Sequence, residues 1–290
     1  MSDKNGSEGR IQWSRFFKKL SPYMIQKGLL YLKHYGPREF WIRLHERFEP
    51  EEIPYGPWYA AYVPDQTVLD KQRKKKFAYA PLISVVVPAY RTPELFLRQM
   101  IDSLEAQTYE NWELIIVDDC STDNTDAVVA KYNDKRIKYL KNEKNSGAAV
   151  SRNKALREAK GRWIAFLDSD DLWLPEKLEK QIHFMESNGY HFSYTNYEEI
   201  DEDGNKLGVK VTGPKVISET DMFNYCWPGC LTVMYDAEAY GLLQIEDIKK
   251  NNDYAMWLKV CRKMDCYLLD EYLAEYRRGR KGSISTHSYW

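Results

Sequence analysis

The chain has 290 residues, 43% hydrophobic and 29% charged, enough for one substantial α/β core and an accessory segment. Its formal net charge of −1 excludes a global field that would draw it to nucleic acid, although residues 1–48 hold ten Lys/Arg against four Asp/Glu. The five cysteines (Cys120, Cys226, Cys230, Cys261 and Cys266) match no zinc spacing and fit a reducing, cytoplasmic compartment; Met1 to Arg10 is too polar for a signal peptide, and no apolar run approaches the ~20 residues of a bilayer span.

Trp13, Phe16, Phe17 and Leu20 fall at i, i+3, i+4 and i+7, with Arg15, Lys18 and Lys19 between them. Trp41, Leu44, His45 and Phe48 give a second helical pattern after the break at Gly36-Pro37. Two readings fit residues 11–48: helices packed on the main domain, and peripheral contact with an anionic membrane surface or a partner. Pro50, Pro54, Pro57, Pro64 and Pro81, with the run Lys74-Lys75-Lys76, read as a linker. The expected division is residues 1–80 as a basic helical extension with a proline-rich linker, and residues 81–290 as the main domain.

From residue 82 the pattern changes. Leu82 to Val87 is a short β-branched run, as in a buried parallel strand. Thr92-Pro93 predicts a helix start with Thr92 as N-cap, and Leu97, Met100, Ile101 and Leu104 form its inner face. Leu114 to Val117 predicts a second strand ending in Asp118-Asp119, followed by a short helix over 124–132 capped by Ser121 or Thr122. Ile137 to Leu140 predicts a third strand, and Ser146-Gly147 leads into a helix through Ala155, Leu156 and Ala159. Trp163 to Leu167 predicts a fourth strand that ends in Asp168-Ser169-Asp170-Asp171, and Pro175 opens a helix with Leu178, Ile182 and Met185 inward. Strand and helix alternate four times, which implies a parallel sheet with helices on both faces. Ligands of such sheets bind at the carboxyl ends of the strands, where both acidic clusters fall. Further on, Tyr190 to Tyr197 and Cys230 to Tyr235 read as strands and Asp203-Gly204 as a hairpin turn. A helix follows Asn252-Asp253, with Tyr254, Trp257, Leu258 and Cys261 on one face.

Three carboxylates within four residues, Asp168, Asp170 and Asp171, repel one another unless they are solvated, protonated or bound to a cation. Their position on the ligand rim favours a hard divalent metal, Mn2+ or Mg2+, bridging carboxylate to diphosphate, although Asp171 also suits a helix cap. Asp119 suits hydrogen bonds from a base or ribose, and equally a plain turn. Gly147 at a helix start presents backbone N–H groups, and Arg152 offers a fixed cation; a plain loop with a surface arginine fits as well. Asp253 at a helix start fits a dipole-complementing aspartate, and its spacing alone does not make it a base.

Taken together, Val85-Val86-Val87-Pro88-Ala89-Tyr90, Ile116 to Asp123, Gly147 to Asn153, Phe166 to Asp171 and Asn252-Asp253-Tyr254 through Trp257-Leu258 resemble the family 2 glycosyltransferases. They stand in that family's order and spacing over roughly residues 82–285. The resemblance implies the GT-A fold: α/β, a Rossmann-like, mostly parallel central sheet with helices on both faces, here behind an N-terminal helical extension. It makes residues 81–290 the catalytic domain. Pro88 and Tyr90 are then expected in the nucleotide-base pocket, Asp119 and Arg152 on the donor, and Asp168 at the ribose or sugar. Asp170 is expected on the metal with Asp171 as its neighbour, and Asp253 as the catalytic base. Asn252 stands where the family often has glutamate, and Arg91 where it usually has asparagine. Arg277, Arg278 and Ser283 match a loop that closes over the diphosphate.

The implied reaction is inverting transfer of a sugar from a nucleotide-diphosphate donor, UDP-sugar by resemblance, to a saccharide or lipid-linked saccharide acceptor in surface polysaccharide or glycoconjugate synthesis. The enzyme is expected in the cytoplasm or peripherally at the inner face of the membrane. A sugar-nucleotidyltransferase shares the acidic site, but Pro88-Ala89-Tyr90-Arg91 lacks the glycine- and lysine-rich phosphate loop it needs. A non-catalytic nucleotide-sugar-binding module would have no need of Asp253.

Overall fold

The computed structural model describes residues 80–246, 248 and 251–278, together with positions 26, 28, 29, 32, 33, 37, 40 and 67. The amphipathic patterns expected between residues 11 and 48, the proline-rich linker and Ser283 lie, those isolated positions aside, outside the described residues. Among the described residues no helix is long and apolar enough to cross a membrane.

In chain order the first half runs β1 (Ile83–Ala89), α1 (Glu94–Glu105), β2 (Trp112–Asp118), α2 (Thr125–Val129), β3 (Ile137–Lys141), α3 (Ala148–Glu158), β4 (Trp163–Phe166), β5 (Leu172–Trp173) and α4 (Lys177–Asn188). Strands β3-β2-β1-β4 are neighbours in that order and all parallel. Both faces of β1, β2 and β4 are buried, which explains their apolar runs, while the edge strand β3 is only part-buried. Val85, Val87, Leu114, Ile116 and Ala165 face one core with α1, α2 and α4, and Val86, Ile115, Val117, Ile164 and Phe166 face the other with α3. The expected inner faces of α1 and α4 are buried as read.

The second half is mixed: β6 (Phe192–Ile200), β7 (Lys206–Val211), β8 (Val216–Ile217), α5 (Glu219–Asn224), a 3-10 turn at Cys230–Thr232, β9 (Met234–Asp236), α6 (Ala237–Tyr240), α7 (Asn252–Cys261) and β10 (Cys266–Arg277). β9 lies antiparallel between β4 and β6, and β10 continues the sheet parallel to β6 and antiparallel to β5. Packing of α7 sets the position of Asp253. Its buried Trp257 meets Phe166, two residues before Asp168, edge to face at 5.2 Å.

Four local expectations change. Thr92 does not cap α1; Pro93 holds that position, and the buried Thr92 hydroxyl is bonded to the Ser169 hydroxyl at 2.6 Å. Neither Ser121 nor Thr122 caps α2, which starts after Asn124, because their hydroxyls accept from Arg91. Pro175 does not start α4 directly: β5 precedes it, and the helix begins at Lys177. The segment from Cys230 begins as a tight 3-10 turn and becomes a strand only at Met234.

Candidate active site

The acidic turn after β4 is held from several sides. Leu167 N–H donates to the Val86 carbonyl, and Ser169 is tied to Thr92. Pairing of β5 with β10, Glu275 opposite Leu172, delivers Arg277 to the turn. Asp171 is 1% exposed; its Oδ1 accepts from the Arg277 N–H at 2.8 Å, and its buried Oδ2 has no partner. Burial, then the charges of Asp170 and Asp168, push the Asp171 carboxyl well above the ordinary carboxylate range.

Arg277 was expected on a loop closing over a diphosphate, and the structure assigns it another place. It is buried, and its guanidinium donates to the carbonyls of Asp170, Asp201 and Glu202 and to Gln99 Oε1 while stacking 4.2 Å from the Phe96 ring. It braces the acidic turn from inside. Arg278 donates to Glu199.

Asp119 is buried at the end of β2. Its carboxylate accepts from Asn142 Nδ2 at 2.8 Å, from Ser146 N–H at 2.8 Å and from Gly147 N–H at 2.7 Å. Gly147 has φ +89°, a left-handed backbone that only glycine adopts without strain, and this aims two successive N–H groups at one carboxylate. Asn142 also donates to Ser151 Oγ, joining Asp119 to α3. Its sequence signal was slight: a polar residue just past a strand end. Asp118 is fully buried and structural, accepting from Ser121 N–H and the Tyr139 hydroxyl.

Beside them, Pro88 is half-buried in register with Val117, and the Asp119 N–H donates to the Ala89 carbonyl, so the ends of β1 and β2 are locked together. Tyr90 follows at 40% exposure, on the open edge. Arg91, in the position where asparagine is usual, takes φ +47° and bonds Ser121 and Thr122 through its N–H and guanidinium.

Arg152 links the two halves. Its buried guanidinium donates to Asp168 Oδ1 at 2.5 Å and to Asn252 Oδ1 at 2.5 Å. Burial opposes its charge, but the carboxylates of Asp168 and Asp253 raise its pKa, so it stays a cation. A direct reach to a donor diphosphate was expected; two arms of the fork are instead engaged by protein, and Arg152 ties the acidic turn to the start of α7. Asp253 stands in the first turn of α7, half-buried, its Oδ1 accepting from the Tyr254 N–H at 2.9 Å. The same electrostatic neighbourhood holds Cys230, a buried thiol raised by desolvation and lying near Arg152, Asp168 and Asp253. The Cys226/Cys230 spacing had suggested nothing beyond a weak pair. Asp119, Asp168 and Asp253 thus meet at one edge through α3.

The donor set fits a hard divalent cation. Asp170 and Asp168 are part-exposed on the turn, and Asp171 holds an unpartnered buried oxygen behind them. Among the described residues no three His, Cys, Asp or Glu groups converge as a complete cage. That accords with the way Mg2+-type ions bind, through one or two carboxylates plus substrate phosphates.

A parallel half-sheet carrying carboxylates at its strand ends, continued by a mixed half carrying an aspartate on a helix start, defines a GT-A-type nucleotide-sugar enzyme. The chain belongs to the family described as Glycosyl transferase family 2, whose profile matches residues 84–229. It is 43% identical over 202 residues, 69% of this chain and 80% of the other, to Bacillus subtilis (strain 168) TuaG, a glycosyltransferase named for teichuronic acid biosynthesis. It is 38% identical over 209 residues, 72% of this chain and 81% of the other, to Escherichia coli WfgD, a UDP-Glc:alpha-D-GlcNAc-diphosphoundecaprenol beta-1,3-glucosyltransferase. The fold matches S. aureus TarS 1-349 in complex with UDP-GlcNAc with TM-score 0.60 and 22% identity, over 72% of this chain and 61% of that one. It also matches the Pyrobaculum calidifontis mannosyltransferase PcManGT in complex with GDP-Man and Mn2+, TM-score 0.55 and 17% identity, over 79% of this chain and 66% of that one.

Proposed function

We propose that this site carries out inverting sugar transfer in one displacement. Asp253 takes the proton from an acceptor hydroxyl while that oxygen bonds to the anomeric carbon and the carbon–oxygen bond to the nucleoside diphosphate breaks. Pro88 and Tyr90 line the base pocket. Asp119, with three of its roughly four acceptor positions filled by protein, keeps one for a base N–H. Asp168, oriented by Arg152, faces the ribose or sugar. A divalent cation, Mn2+ or Mg2+, held by Asp170 beside Asp171, offsets charge on the leaving diphosphate when bound. UDP-sugar is the donor of choice, supported by the UDP-Glc in the name of WfgD and the UDP-GlcNAc bound to TarS. The acceptor is a saccharide, carried on a lipid diphosphate as in WfgD, and the basic residues 11–48 keep two roles open, packing on the main domain or peripheral contact at the inner face of the membrane. The single observation that supports the reading most is the Arg152 bridge, which couples the donor-side turn to the helix that carries the base.

A thermal-shift screen of nucleotide sugars with and without Mn2+ tests it. A UDP-sugar is expected to raise Tm, more so with Mn2+, and Asp170→Ala to remove the Mn2+-dependent part. Release of pyrophosphate instead of nucleoside diphosphate on turnover would overturn it in favour of a nucleotidyltransferase.

A further inference from the structure

The segment from Met222 to Cys230 runs between the two ends of the site. At its start the Tyr254 hydroxyl, one residue past Asp253, donates to the carbonyls of Met222 and Phe223, both at 2.9 Å. At its finish Cys230 lies in the neighbourhood of Arg152 and Asp168. Between these anchors the chain carries three large aromatic residues. Phe223 is 74% exposed and Tyr225 49% exposed. Trp227 is half-buried against the second core, its ring 4.5 Å from that of Tyr225 at 55°. Cys226, between the last two, sits close enough to Asp253 for that charge to help raise its thiol, after burial.

The seat of Trp227 is built. A Cβ at Gly213 would stand 2.5 Å from the Tyr194 hydroxyl and 3.2 Å from Trp227 Cβ, so only glycine lets the indole settle there. Gly213 thus lets Trp227 seat against the second core, while Phe223 and Tyr225 stay exposed. Leaving two such rings in water forfeits burial that large aromatics normally gain, which marks a binding surface.

We infer that Phe223, Tyr225 and Trp227 form the acceptor platform, stacking on the apolar face of a pyranose whose hydroxyl is presented to Asp253. The inference rests on the transferase reading above and names the part of the acceptor that is recognised. Rings suit the C–H face of a sugar, and carboxylates suit its hydroxyl rim. Asp253, half-buried beside this segment, is the carboxylate that meets such a rim, since Asp221 caps its own helix through Ser218 and Glu219 pairs with Arg262.

The test compares Phe223→Ala and Tyr225→Ala with wild type. The donor is the one found by the thermal-shift screen, and the acceptors are glycosides with short alkyl aglycones and the same sugars on long-chain lipid diphosphates. Each variant is expected to raise the acceptor KM about threefold to tenfold with both acceptor types. kcat and the donor-induced Tm shift stay at wild-type values, and Tyr225→Trp restores the KM. Because both side chains are exposed, folding is preserved, and the unchanged donor shift verifies it in the same samples. An unchanged KM with either acceptor type overturns the platform; an effect confined to long-chain acceptors assigns the rings to the lipid and overturns it equally. A wild-type chain with no donor shift and no nucleoside diphosphate release strikes the transferase reading itself, whereas a normal wild type with unaffected variants strikes the platform alone.

Discussion

The two halves of the sheet treat their site carboxylates differently. In the parallel half, Asp119 accepts three hydrogen bonds from protein, and Asp171 is buried against the Arg277 N–H. In the mixed half, Asp253 is half-buried and bonded to the adjacent Tyr254 N–H, beside exposed Phe223 and Tyr225. One half holds its carboxylates in hydrogen bonds to protein; the other leaves Asp253, the proposed base, half-buried beside exposed rings. Pre-organisation suits the side that must grip one nucleotide, and openness suits the side that must admit a second substrate and move a proton.

The contrast is breakable. Asp253→Asn is expected to lower turnover by at least ~10²-fold, read as nucleoside diphosphate release, with the donor-induced Tm shift intact. Normal turnover would remove the base from the open half. Arg152→Ala severs the bridge between the halves and strands the buried Asn252 amide beside part-exposed Asp168, at a cost of about 1–3 kcal/mol in chemical denaturation; wild-type stability would mean the halves are joined by packing alone. Asp119→Asn trades a carboxylate facing two N–H groups and an amide for a poorer acceptor. It is expected to cost about 1–3 kcal/mol and weaken nucleotide binding about tenfold, measured by isothermal titration. If nucleotide affinity is untouched, the pre-formed half gains nothing from that clamp.

The smallest effect sharpens the comparison by pH. Glu275, buried on β10 in the mixed half, has its carboxyl pushed up to about 8, chiefly by burial. Its folded pKa lies above the unfolded one, so its contribution to stability is fully present below the ordinary glutamate range and is lost as pH rises through about 8. Glu275→Gln is expected to flatten that fall, raising the free energy of unfolding at the alkaline end by on the order of 2 kcal/mol and Tm with it. Parallel Tm–pH curves for variant and wild type would contradict this.

The parallel half was legible in the sequence because its central strands are covered on both faces and aspartates follow closely on β2 and β4. Val85 to Val87 and Ile164 to Phe166 alternate between two cores, which compels a continuous apolar run. The Asp253 helix was legible for a similar reason, its Trp257 being periodic with the rest of a buried face. β10 was not read from the sequence: it changes register against β6 twice and mixes buried with exposed positions irregularly. The mistaken caps share one cause. Thr92, Ser121 and Thr122 look like cap residues locally, but their hydroxyls are used across loops, by Ser169 and Arg91, which no local pattern encodes. Arg277 was misplaced for the same reason: sequence marks a cation, and only the tertiary neighbours determine whether it faces ligand or protein.

Asn252 bears on how this edge handles charge. Its amide is neutral, so Arg152 hydrogen-bonds directly to one formal anion, Asp168, and keeps part of its positive field unspent. An incoming pyrophosphate group therefore meets a rim less repulsive than its tally of aspartates suggests. A glutamate at 252 would quench that residual field and shift the burden of neutralising the phosphates onto the divalent ion. The single amide sets how much of the ligand's charge the polypeptide itself can balance.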